Sequence, residues 1–159
     1  MNSVIPVVNN THYPYEDKEA WYWLNNHTNN AKIAYTGNPD TLPLYGSNFK
    51  NDVIYISVNN THPVKLHYFP KARYIWKGDF ISLHKNLETS GNYRQNPDFI
   101  HWLNNLKKEK ADYIFIYAFH QIKDVIFPIE DNWAKDHPEY FNLVFNNNRV
   151  HIYEIRGGA

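Results

Sequence analysis

The sequence contains no cysteine, which excludes a disulfide framework and thiolate metal sites and fits a chain that avoids thiols in an oxidising space. It carries no net charge, because sixteen basic side chains balance sixteen acidic ones. The long-range field that gathers nucleic acid or anionic lipid therefore has no source, and no nucleic-acid partner is expected. Long hydrophobic runs are missing as well. Stretches such as "YIFIYAF", Tyr113 to Phe119, fall far below the roughly 20 apolar residues that a membrane-crossing helix needs. The opening "MNSVIPVV" has neither a basic n-region nor a long apolar h-region and does not read as a signal peptide.

Glycine is scarce, and the scarcity bears on chemistry. Phosphate cradles and dinucleotide fingerprints need several glycines around a strand-to-helix turn, whereas Gly37 stands alone with stiffening prolines at 39 and 43. A nucleophile elbow is missing too. Ser47 follows Gly46 but lacks the second glycine and the preceding strand of G-x-S-x-G. None of the nine histidines stands at i,i+2, i,i+3 or i,i+4 from another, the spacings that let one element present two metal ligands. The nearest pair, His62 and His67, falls in an irregular stretch, so neither metal nor cofactor is expected.

What the chain does have is aromatic bulk, with thirteen tyrosines and five tryptophans in 159 residues, a length that suits one domain with a two- or three-layer core. Asparagine is abundant. Chance in so Asn-rich a chain explains the three Asn-x-Thr sequons at Asn9, Asn26 and Asn59, and also the repeated "VNNTH", whose flanks do not match.

Along the chain, Pro14 at the first helical position with Glu16 and Asp17 behind it reads as a helix start. Ala20, Trp21 and Leu24 form its apolar stripe, and it fades in "NNHTNN", where asparagine side chains compete for the backbone. "KIAYTG" is a strand ending at Gly37, followed by the loop "NPDTLPLYGSNFKN" and a second strand in "DVIYISV". Prolines and glycines break every candidate element from Asn59 to Gln95. Asn96 is a candidate N-cap, with Pro97 at N1, for a helix carrying Phe99, Trp102, Leu103 and Leu106 at helical spacing. "DYIFIYAF" is apolar at nearly every position, as a central strand covered on both faces must be. A short helix around Trp133 opens at Pro128, Glu130 and Asp131, and "FNLVF" and "RVHIYEI" form a hairpin through a two-residue asparagine turn. The expected architecture is one α/β domain over 1–159 with an irregular insertion at 59–95. Its sheet is expected to be small, Rossmann-like and mostly parallel, with helices on both faces and a C-terminal antiparallel hairpin.

The carboxylate pairs Glu16/Asp17 and Glu130/Asp131 stand at helix starts, where the dipole accounts for them without chemistry. Asp79, after Gly78, is the more interesting carboxylate, although a turn position is the favoured account of it, and Tyr74 and Trp76 beside it either stack on a sugar ring or close a small core. In a parallel α/β sheet a ligand is expected outside the carboxyl ends of the strands, which here means Gly37, Asn38, Ser57 and His120.

"KIAYTGNPDTLPLYGSNFKNDVIYI" resembles a segment common in the soluble C-terminal parts of bacterial and archaeal polytopic GT-C glycosyltransferases, the group similar to dolichyl-phosphate-mannose protein mannosyltransferases. "FIHWLNNLKKEKADYIFIY" and "PIEDNWAKDHPEYFNLVFNNNRVHIYEI" are similar to the helix, strand, Trp helix and hairpin that end such proteins. The resemblance implies an extracytoplasmic domain, periplasmic or at the cell surface, whose partner is the membrane-embedded portion of its parent and whose ligand is a sugar or glycan. In that family the catalytic acidic residue lies in the membrane region, and none of the family's catalytic residues maps onto this chain. The expected ligand-binding residues are Gly37, Asn38, Asp40, Tyr45, Trp76, Asp79 and His120. The alternatives are a carbohydrate-binding module built on the aromatics and a free-standing small enzyme using Asp79 or His120. Gly46 is expected to permit a tight bend that tucks Leu44, Tyr45 and Phe49 under the sheet, a compact plug in place of a crossover helix.

Overall fold

A computed structural model of the chain describes residues 13–36, 41–58, 97–118 and 127–157. The first helix, α1, spans Tyr15–His27 and leads to strand β1, Lys32–Tyr35. Two 3-10 turns, Leu42–Tyr45 and Ser47–Phe49, precede β2, Asp52–Tyr55. Helix α2 covers Phe99–Glu109, β3 covers Tyr113–Tyr117, and α3 covers Ile129–Asp136. Strands β4, Phe141–Asn146, and β5, Val150–Ile155, complete the described part of the chain.

The five strands lie in the order β2-β1-β3-β5-β4. Pairing is parallel from β2 through β1 to β3, and antiparallel from β3 through β5 to β4. The sheet is thus mixed, which corrects the expectation of a mostly parallel one. The antiparallel ladders are also the longer, five paired positions each against four and three. The hairpin places β5, not β4, beside the central strand, so it forms two-fifths of the sheet and not a marginal edge.

Helices cover both faces, and the strand period of two explains how. Ile33, Phe115, Val150 and Ile152 point to one side, where they meet Trp21 and Leu24 of α1 and Leu44 of the first 3-10 turn. Ala34, Ile114, Ile116 and Tyr153 point to the other, against Trp102 and Leu106 of α2 and Ala134 of α3. Strand β3 is buried at four of its five positions, in keeping with its apolar sequence. Trp102 sits at the centre of the second layer, 5.5 Å between ring centroids from Trp133 and 5.3 Å from Phe141.

Local details depart from the sequence expectation in instructive ways. Pro14 is the N-cap of α1 and not its first helical residue. In α2 the cap is Asp98, whose carboxylate accepts from the His101 backbone N–H at 2.9 Å, while Asn96 lies outside the described residues. The hairpin turn runs through Asn147, Asn148 and Arg149 without positive φ, because the Asn147 side chain accepts from the N–H groups of Arg149 and Val150. Gly46 does supply the expected bend at φ 70°. Leu44 is fully buried behind it and Tyr45 half-buried, but Phe49 stays outside with 71 % of its surface exposed.

Candidate functional site

Helices α1 and α3 begin with the same four-residue pattern, Pro14-Tyr15-Glu16-Asp17 and Pro128-Ile129-Glu130-Asp131, on opposite faces of the sheet. The dipole argument accounts for carboxylates there without further partners. Yet Asp17, Glu130 and Asp131 are buried, and a buried carboxylate needs specific partners to stay ionised. Both aspartates find them at the hairpin.

Asp17 meets Arg149 of the β4–β5 turn. The guanidinium Nε donates to Oδ1 at 2.9 Å and the second nitrogen lies 3.5 Å from Oδ2, a fork that suits a carboxylate. Beside it, Asn147 Nδ2 donates to the Glu16 carbonyl at 2.9 Å, so the turn is fastened to the start of α1 by backbone and side chain together.

Asp131 anchors the other face. It is 1 % exposed, and its Oδ1 accepts from His151 Nδ1 at 2.6 Å and from the Tyr153 hydroxyl at 2.7 Å. Because an ionised carboxylate offers only lone pairs, His151 carries its proton on Nδ1. Oδ2 faces the ammonium of Lys135, one helical turn on, at 2.7 Å in an ion-pair contact. Burial pushes the Asp131 carboxyl up, but the hydrogen bonds from His151 and Tyr153 and the ion pair with Lys135 outweigh it and hold the group below the usual carboxylate range. Burial, then the hydrogen bond to Asp131, pushes the Tyr153 phenol well above its ordinary value. The Phe127 ring lies on the imidazole of His151 at 3.8 Å between centroids and 6° between planes. That side chain keeps only 12 % exposure.

A carboxylate holding Nδ1 of an imidazole is also the geometry that orients a general base. His151 pairs with Ile116, close to the carboxyl end of β3, the end of the sheet at which the strand-order rule places a ligand. The carboxyl ends of β1 and β3, where the strand order changes direction, run into residues 37–40 and 119–126, which lie outside the described residues. Gly37, Asn38, Asp40, Trp76, Asp79 and His120 all fall in that category. Ser57 is described, and its carbonyl accepts from Asn105 Nδ2 at 3.0 Å. Among the described residues no group of three or more His, Cys, Asp or Glu side chains could hold a metal ion.

Open space is found at the other end of the strands. One groove of about 370 Å³ is lined by residues 27–31 together with Asp112, Tyr113 and Glu154. A second, of about 460 Å³, includes Asn30, Tyr45, Phe49 and Asp52, and Asn30 joins the two. Of the residues expected to bind a ligand, Tyr45 is the one that falls among the described residues, and it borders this second groove. Sequence reasoning missed His151 and Tyr153, although their alternation in "HIYEI" on the final strand sets both side chains on one face, and it explained Asp131 by the helix dipole alone.

No family model matches the chain, and neither the curated proteins nor the solved structures yield a significant match. No helix among the described residues is long and apolar enough to cross a membrane.

Proposed function

We propose that the chain is a non-catalytic extracytoplasmic α/β domain of a membrane glycosyltransferase, assisting substrate or partner recognition beside the membrane-embedded portion that performs transfer. The segments that carry the resemblance form consecutive parts of one sheet and its covering layers. They are the β1, plug and β2 unit, then α2 with β3, then α3 with the hairpin. The observation that carries the non-catalytic reading is the enclosure of the acid and imidazole groups. Among the described residues Asp131 is held by His151, Tyr153 and Lys135 of the α3–β5 packing, and Phe127 lies over His151. Such a cluster joins layers.

The experiment is a transfer assay of the purified chain with polyprenyl-phosphate sugar donors and peptide or glycan acceptors. The expected result is no transfer above the protein-free level, and turnover by these residues alone would defeat the reading. A second reading, a free-standing small enzyme with its site at the carboxyl ends of the strands, has the Asp131–His151 contact in its favour. It requires an activity that Asp131→Asn abolishes while the fold is retained.

A further inference from the structure

Phe49 and Tyr15 are the two aromatic side chains among the described residues that leave more than 70 % of their surface exposed, and Phe49 is the one with a left-handed backbone. It is 71 % exposed and adopts φ 51°, next to Asn48 at φ 60°. A bulky side chain in the left-handed region is strained, and it persists only where its surroundings fix it. Those surroundings are on hand. Ser47 donates from both its backbone N–H and its hydroxyl to Asn25 Oδ1 at 2.9 Å. Lys50 Nζ donates to the Asn25 carbonyl at 2.5 Å, and the Asn51 backbone N–H donates to the Tyr45 carbonyl at 3.1 Å. The turn is thus fastened to the end of α1 on one side and to the 3-10 plug on the other. What it holds up is an aromatic face aimed at water.

The ring does not stand alone. Tyr45 lies 6.0 Å away between centroids, tilted by 56°, and the two rings border the groove of about 460 Å³ at the start of β2. Its polar edge offers Asp52, whose side chain is 69 % exposed with one loose contact to Lys32 Nζ at 3.7 Å. It also offers Asn30, exposed and held at φ 55°. A rigid aromatic face flanked by an amide and a carboxylate matches a ligand with one apolar C–H face and a rim of hydroxyls. That description is a pyranose ring. The exposed Asp52 carboxylate opposes a phosphate, and of the two ammonium groups beside it among the described residues, Lys50 is bonded to Asn25 and Lys32 lies 3.7 Å from Asp52 itself.

We infer that this groove binds a neutral pyranose of a glycan, with Phe49 as its stacking platform and Asp52 and Asn30 as hydrogen-bonding partners. The inference rests on the recognition role proposed above and gives it a ligand class and a location. It sets the sugar at the amino ends of the strands, opposite the end that the strand-order rule favours.

The test is an NMR titration of the full chain with methyl α-mannopyranoside and methyl β-glucopyranoside, and separately with the matching sugar 1-phosphates. The expected result is saturable millimolar binding of at least one neutral glycoside, with amide shifts concentrated at Asn30 and at 45–52. Phe49→Ala weakens it by about tenfold or more, whereas Phe49→Trp retains it. Because Phe49 is exposed, both variants keep the wild-type fold, which the amide spectrum reports directly. Absence of saturable shifts, equal binding by Phe49→Ala, or tighter binding of the sugar phosphates than of the neutral glycosides overturns the inference. The titration contains no donor and reads no transfer. Its failure removes the groove alone, while turnover in the transfer assay removes the domain's recognition role.

Discussion

The two Pro-x-Glu-Asp helix starts differ in what they grip. On the α1 face, Asp17 holds Arg149, a group that stays charged at every accessible pH and keeps 18 % of its side chain in water. On the α3 face, Asp131 holds a titratable imidazole and a phenol, both packed among aromatic rings, with Lys135 closing the remaining oxygen. Residues 149, 151 and 153 belong to one stretch of chain, so the hairpin is clamped from both sides of the sheet. The same local sequence thus makes an ion pair with a single guanidinium in one layer and, in the other, a shared acceptor for an imidazole, a buried phenol and a half-exposed ammonium. What decides between them is the partner strand, not the helix start.

The clearest way to break the comparison is to remove each aspartate in turn. Asp131→Ala leaves an imidazole, a phenol and an ammonium without their shared acceptor, and a loss of about 3–5 kcal/mol is expected from urea unfolding at neutral pH. Asp17→Ala leaves a guanidinium that can still reach water, and the expected loss is smaller, about 1–3 kcal/mol. Equal losses would mean that burial of the partner does not matter.

Acid titration sharpens the same contrast. A carboxyl held below its ordinary range contributes stability that is complete above the unfolded-state value and is lost as pH falls through the lower folded-state value. Unfolding free energy of the wild type is therefore expected to fall more steeply between roughly pH 5 and pH 2 than that of Asp131→Asn. Identical slopes would place the acid-sensitive group elsewhere. The smallest expected effect is a gain on the α3 side of the sheet. Lys110 closes α2 in the left-handed region at φ 55°, where Lys110→Gly removes the Cβ conflict. A rise of about 0.5–1 kcal/mol should appear in thermal or urea melts.

Elements set by short-range physics were legible in the sequence. The apolar stripe of Ala20, Trp21 and Leu24 is buried as its spacing implies, and the unbroken apolar run at 113–117 forms the central strand. Gly46 stands where the chain turns with positive φ. What escaped was set by pairing between distant parts. That β5 and not β4 joins β3 depends on long-range register, which made the sheet mixed. The fate of Asp131 depended on His151 and Tyr153 twenty and more residues later, which no local rule about helix starts contains. Phe49 was expected inside because aromatic residues near a glycine bend serve well as plugs. Leu44 took that place, and the left-handed backbone at 48 and 49 turned the ring outward. Of the residues proposed to bind a ligand, Tyr45 lies among the described residues and borders the open groove.

The claim on which the rest depends is that the buried acid and imidazole hold layers together and were not set aside for chemistry. A double-mutant cycle between Asp131→Asn and His151→Gln, read by urea unfolding at neutral pH, addresses it most directly. Each single variant is expected to be less stable than the wild type, with a coupling of about 1–3 kcal/mol between them. Single variants as stable as the wild type or more so, with no coupling, are what a site kept at the expense of stability produces, and that result would contradict the account.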